Sequence, residues 1–102
     1  MNRGEVWLAQ VGRERRPVLV LTRNEVLEVR TLVTVAEITS TMRGLAAEVP
    51  IDHDLAGLDQ ESAINCDGLH TVPHSVLTRQ VGAVDKNDLK RVCAAIDYAL
   101  GC

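Results

Sequence analysis

The sequence predicts a mainly β protein with a C-terminal helix, folded as a small, strongly bent barrel, and three observations carry that prediction. Short segments rich in β-branched residues recur along most of the chain, separated by glycine, proline and polar turns. Val18-Leu19-Val20-Leu21 has no polar alternation, so this strand needs apolar cover on both faces. Only the carboxyl end, from Asp85 to Gly101, shows a long helical stripe. Many short strands with one terminal helix close most readily on themselves. The 102 residues suit a single domain, 1–102, with no repeats, low-complexity stretches or linker.

Glu5 to Ala9 is the first strand, set off by Gly4 and ended near Gly12. Val11 to Arg15 reads as a tight, charged loop. Pro17 fixes its own φ and pushes Arg16 into an extended conformation at the mouth of the Val18–Leu21 strand. The polar run Thr22 to Glu25 ends that strand. Arg30 to Thr39 is the next strand, leading into the hydroxyl-rich turn Ser40 to Gly44. Glu48 to Ile51 is brief, and Pro50 suits an edge. His53 to Gln60 is a loop. Ser62 to Cys66 and Leu69 to Pro73 read as two segments parted by Gly68, followed by one helical turn at His74 to Leu77 and a last strand at Gln80 to Val84. In the helix, Asp85 is the N-cap and Asp88 lies in the first turn, where negative charge favours the dipole. Leu89, Val92, Cys93, Ile96, Ala99 and Leu100 form its apolar stripe, and Gly101 suits the stop.

Composition narrows the function. The chain has no phenylalanine, and its aromatics are Trp7 and Tyr98, which argues against a surface that grips single strands by base stacking. No apolar run approaches the roughly 20 residues of a membrane helix, and no signal-peptide core is present, so a cytoplasmic location without membrane contact is expected. The net charge is −3, but residues 1–43 carry seven arginines against five glutamates, whereas residues 44–102 carry four basic residues against nine acidic ones. A basic amino-terminal half permits a local phosphate site. Cys66, Cys93 and Cys102 are odd in number and lack close pairing, which fits a reducing compartment. Cys93 falls on the helix stripe and reads as core; Cys102 is terminal and tolerant of oxidation.

Few constellations carry chemistry. Cys66, His70 and His74 are spaced by four, which on a continuous helix would share a face, but Gly68 and Pro73 interrupt the segment. No metal and no cofactor are expected. A Gly-x-Ser-x-Gly elbow and a glycine-rich phosphate loop are absent. The pairing left is Arg16 with Thr39-Ser40-Thr41. A guanidinium can grip two phosphate oxygens, and with a hydroxyl it can hold a phosphodiester as charge builds on it. Two plainer readings stand beside this one: Arg15-Arg16 as a solvated pair blunting an edge, and the hydroxyls as a locally bonded turn.

Gly4-Glu5-Val6-Trp7, Arg16-Pro17-Val18-Leu19-Val20 and Val35-Ala36-Glu37-Ile38-Thr39-Ser40, in that order, resemble the MazF/PemK toxins of toxin–antitoxin pairs. Glu48-Val49-Pro50-Ile51, Ser62-Ala63-Ile64, Cys66-Asp67-Gly68-Leu69-His70-Thr71-Val72 and the final helix extend the resemblance over nearly the whole chain. It implies an SH3-like, CcdB/PemK-type barrel that pairs as a homodimer. It also implies a growth-arresting endoribonuclease that cuts single-stranded RNA at selected sequences without a metal, leaving 2′,3′-cyclic phosphate and 5′-hydroxyl ends. The implied partner is a MazE-like antitoxin whose acidic, disordered tail covers the RNA groove. Arg16 and Thr39 fall on the catalytic positions, and Arg13, Glu14, Arg15, Ser40, Thr41 and His70 are expected to contact RNA. An arginine titrates too high to serve as a base near neutrality, so Arg16 reads as charge stabiliser and proton donor, with Thr39 orienting the phosphate. The sequence departs from the family in two places. The loop before Arg16-Pro17 is short, with Glu14 in place of the loop carboxylate. Gly68 and His70 replace a glutamine and an arginine, and His70 there either transfers protons, lines the groove or faces a dimer interface. A gyrase-type poison or an inactive binding module on the same scaffold are the alternatives.

Overall fold

Strand alternation sorts the apolar residues into two cores on opposite faces of one sheet. The computed structural model describes residues 1–101, so Cys102 lies outside the described residues. Its elements are β1 (Glu5–Val11), β2 (Glu14–Val20), α1 (Asn24–Leu27), β3 (Leu32–Thr39), β4 (Glu48–Ile51), β5 (Ser62–Pro73), a 3₁₀ turn (His74–Val76), β6 (Leu77–Ala83) and α2 (Lys86–Leu100). The strands form a six-stranded sheet in the order β4-β5-β3-β2-β1-β6, antiparallel throughout.

Val6, Leu19, Ala36, Ile64 and Cys66 point to one face and pack with Val92 and Ala95 of α2. Ala9, Val18, Val20, Val33 and Val35 point to the other face, joined by Leu27 of α1 and Leu77. β2 contributes to both cores, and this is why its apolar run lacks alternation. The edge strands β4 and β6 do not pair. The segment after β4 instead crosses to β6, where the Ala83 amide donates to the Leu55 carbonyl at 3.2 Å. The bent sheet closes through that loop.

Several expectations need correction. The charged loop before Arg16 is only the two-residue turn Gly12-Arg13, because Val11 already pairs with Glu14. Gly12 has φ +61° and Arg13 does not share the positive φ, which suits a hairpin turn with glycine in its first central position. Glu14 and Arg15 are therefore strand residues, and Arg16 sits inside β2 rather than at its mouth. The two segments around Gly68 form one strand, β5, because a bulge absorbs Cys66, Asp67 and Gly68 between the pairs Ala36–Leu69 and Glu37–Asn65. The polar run after β2 contains the short helix α1, held under the second core by buried Leu27. Cys93 is only half-buried and accepts from an Arg3 Nη2 at 3.1 Å, and Leu100 is exposed, so the helix stripe narrows to Val92, Ala95 and their neighbours.

Other elements fall as read. Pro50 lies on the edge strand β4. Asp85 caps α2 by accepting from the Asp88 amide at 2.7 Å, and Gly101 ends it with φ +71°. Among the described residues no helix is long and apolar enough to cross a membrane.

Candidate functional site

The β2–β3 ladder pairs Val20 with Val35, Leu19 with Ala36 and Val18 with Glu37. Continuing that register two residues sets Arg16 across from Thr39, just past the last hydrogen-bonded pair. The two strands part here, and the side chains of Arg16, Glu37 and Thr39 fall on the same face as Val18 and Val35.

The parting strands leave a cleft of about 530 Å³. Its floor is apolar, formed by Ala9, Val18, Val35, Val72 and Val76, and its polar groups are Gln10, Arg16, Glu37 and His70. A smaller depression of about 380 Å³ adjoins it, lined by Thr39, Thr41, Arg43, Asn65 and Asp67 among others. Glu37 lines both and stands between them.

Two side-chain pairs order the cleft. Arg16 meets the Glu14 carboxylate through Nη2 at 2.7 Å and Nε at 2.9 Å. They are neighbours because residues two apart on a strand share a face. Both side chains are more than three-fifths exposed, so the pair contributes at most about 1 kcal/mol to stability and acts mainly to aim the guanidinium. In the second pair, His70 Nε2 lies 2.6 Å from Glu37 Oε2. His70 sits opposite Val35 on β5, which makes Glu37, two residues further along β3 on the same face, its diagonal cross-strand neighbour.

Glu37 occupies space that Gly68 leaves open. A Cβ on Gly68 would lie 2.6 Å from Glu37 Oε2 and 3.0 Å from Asn65 Nδ2. The Thr39 hydroxyl is bonded within its own turn, accepting from the Thr41 amide at 3.1 Å and lying 3.3 Å from the Thr41 carbonyl. This is the local turn bonding that the hydroxyl run allowed.

Of the residues singled out in the sequence, the structure brings Arg16 and His70 into one cleft, with Glu14 attached through Arg16. Thr39 and Thr41 line the adjoining depression. Arg13 is exposed on the hairpin turn, Arg15 points to the opposite face of β2 from Arg16, and Ser40 is exposed; these three line neither hollow. Cys66 is fully buried in the helix-side core, away from exposed His70. Its burial, with Asp67 and Cys93 adding to the effect, pushes the thiol up to about 11.

Sequence reasoning passed over Glu37. Its signal was a lone carboxylate among Val33, Val35 and Thr39 on one strand face. Its partner was not visible, because the β3–β5 register that makes His70 its diagonal neighbour leaves no local mark in the sequence.

The cleft thus offers a guanidinium, an imidazole and the Glu37 carboxylate above an apolar floor, with Glu14 held on the guanidinium from outside it. A family model described as "PemK-like, MazF-like toxin of type II toxin-antitoxin system" matches residues 2–100. Endoribonuclease MazF3 of Mycobacterium tuberculosis is 49% identical over 77 residues, covering 76% of this chain and 73% of that relative. Probable endoribonuclease MazF5 of the same organism is 35% identical, covering 98% of this chain and 93% of its own. The solved structure of Mycobacterium tuberculosis toxin MazF-mt6 superposes with a TM-score of 0.88 at 41% identity, covering 95% of this chain and 96% of that one. The chain belongs to the PemK-like, MazF-like toxins of type II toxin–antitoxin systems.

Proposed function

We propose that the chain is an endoribonuclease toxin that cuts single-stranded RNA at selected sequences without a metal ion. In this reading the ribose 2′-oxygen attacks the adjacent phosphorus, the bond to the 5′-oxygen breaks, and 2′,3′-cyclic phosphate and 5′-hydroxyl ends result. One proton leaves O2′ and one reaches O5′, so the step is balanced. A homodimer forms the working groove, and a cognate antitoxin silences it by ordering an acidic tail over the same surface.

The observation that carries this reading is the Arg16 guanidinium, aimed by Glu14 into a cleft that continues toward Thr39. Its positive charge meets the non-bridging oxygens as they gain charge, and its N–H groups reach the departing O5′. Thr39 must exchange its turn bonds for a phosphate oxygen when RNA enters. The exposed Arg13 and the hydroxyls of Ser40 and Thr41 extend the contact along the chain by phosphate bonding, whereas Arg15, on the opposite face of β2, does not reach it.

Purified protein in EDTA, incubated with a defined single-stranded RNA, is expected to give discrete cuts with 5′-hydroxyl ends. Arg16→Ala is expected to lower kcat by about 10²–10³-fold, in line with removing one donor from developing anionic charge. A folded Arg16→Ala that cuts at the parent rate overturns the role of that residue. Growth arrest that persists in Arg16→Ala and Thr39→Ala, with no RNA cut, overturns the nuclease reading in favour of a protein target.

A further inference from the structure

The reading above lacks a base to take the 2′-hydroxyl proton. Arginine enters the step already protonated and so cannot accept, threonine is neutral, Glu14 is occupied with Arg16, and Asp67 lines the depression on the far side of Glu37 rather than the Arg16 cleft. We infer that His70 is this base and that Glu37 is its positioning residue, held in place by the bulge at Gly68; the inference rests on the nuclease function proposed above.

The geometry specifies each part. An ionised carboxylate only accepts, so the 2.6 Å contact requires the proton on His70 Nε2. The neutral ring then carries its lone pair on Nδ1, and among the described residues the ring's one hydrogen bond is that of Nε2. His70 is half-exposed and lines the same cleft as Arg16. This is the arrangement in which a carboxylate fixes an imidazole's tautomer and stabilises the imidazolium that forms on taking a proton. The carboxylate is itself placed: Gly68 leaves the space that Glu37 Oε2 fills, and the β3–β5 register sets His70 diagonally across from it.

The proton moves from O2′ to Nδ1 as the O2′–P bond forms. Arg16 donates a proton to O5′ as the P–O5′ bond breaks, and solvent then restores both groups. The charged groups around His70 are Glu37 from β3, Arg16 with its Glu14 from β2, and Asp67 on the bulge of its own strand; β1 offers only neutral Gln10 and the 3₁₀ turn only Val76.

The test is single-turnover cleavage of a defined single-stranded RNA in EDTA across about pH 5 to 9, the range in which histidine titrates. Wild-type log kcat is expected to rise with unit slope at low pH and then level. His70→Ala is expected to lose about 10²–10⁴-fold in kcat, to lose that inflection, and to regain rate with added imidazole. Glu37→Gln, and Gly68→Ala, which displaces the Glu37 carboxylate, are expected to lose about tenfold while keeping a shifted inflection. If wild type and Arg16→Ala behave as the nuclease reading requires but His70→Ala keeps kcat and the pH profile, the base assignment falls alone. A rise in KM with unchanged kcat overturns it likewise, making His70 an RNA contact only. Failure of the wild type to cut RNA overturns the nuclease reading first.

Discussion

Closure of the sheet depends on two backbones that touch, and Gly82→Ala tests it. A Cβ on Gly82 would stand 2.2 Å from the Ala56 carbonyl carbon, 2.4 Å from its oxygen and 2.7 Å from the Gly57 nitrogen, where ordinary contact begins at 3.4 Å. Gly57 has the mirror problem, with a Cβ meeting the Val81 oxygen at 1.9 Å and φ at +75°. Neither side yields cheaply, because Ala56 is fully buried in the helix-side core and Gly82 pairs with Val6 of β1. The loop and β6 must part by about 1 Å, at an overpacking cost of about 2 kcal/mol. The Ala83–Leu55 hydrogen bond goes with it, adding about 1 kcal/mol. For a chain of this length, about 3 kcal/mol corresponds to a fall in Tm of roughly 12–18 °C. Gly68→Ala is the matched control: its Cβ meets only the movable side-chain ends of Glu37 and Asn65, so stability is expected to change by about 0.5 kcal/mol or less. Thermal and urea unfolding of both variants measure this. A Gly82→Ala protein melting within about 4 °C of its parent refutes closure through the 52–58 segment.

Two further outcomes follow from titrating groups. Burial works to raise the Glu5 carboxyl, but hydrogen bonds from the Trp7 indole and from the Asn2 amide and side chain, with the nearby amino terminus, outweigh it and hold Glu5 below the ordinary 4.5. A depressed folded value stabilises the protein above the unfolded value, and that contribution is lost as pH falls through the folded one. The stability gap between wild type and Glu5→Gln, followed by Trp7 fluorescence in urea, is expected to close between about pH 5 and pH 2; a gap constant over that range refutes the account. Iodoacetamide at about pH 8 is expected to label half-buried Cys93 and to spare Cys66 until denaturant is added, since the Cys66 thiol, pushed to about 11 by burial and then by Asp67 and Cys93, is shielded and protonated. Peptide mapping decides it, and labelling of native Cys66 at the Cys93 rate contradicts the buried position.

Much of the fold was legible because local chemistry determines it. Asp85 and Gly101 bound α2 through a side-chain cap and a left-handed φ, both properties of the residue itself. Pro50 marks the edge because it lacks a donor for a second neighbour. The uninterrupted Val18–Val20 run announced burial on both faces. The misreadings arose where pairing overrides local signals. Glu14 and Arg15 look like loop residues but are drawn into β2 by their partners Val11 and Gln10. Gly68 looks like a break but sits inside β5 as part of a bulge.

The sequence by itself determined the strand-rich class, the terminal helix, the family resemblance and the prominence of Arg16. Tertiary structure alone decided that Glu37 reaches His70, that Arg15 turns from Arg16's face, and that the 52–58 segment rather than a strand pair closes the sheet. The reason is physical. Caps, turns and periodicity are contacts within a few residues, whereas the β3–β5 register and its bulge are set between strands more than twenty residues apart, where one inserted residue redirects every side chain beyond it.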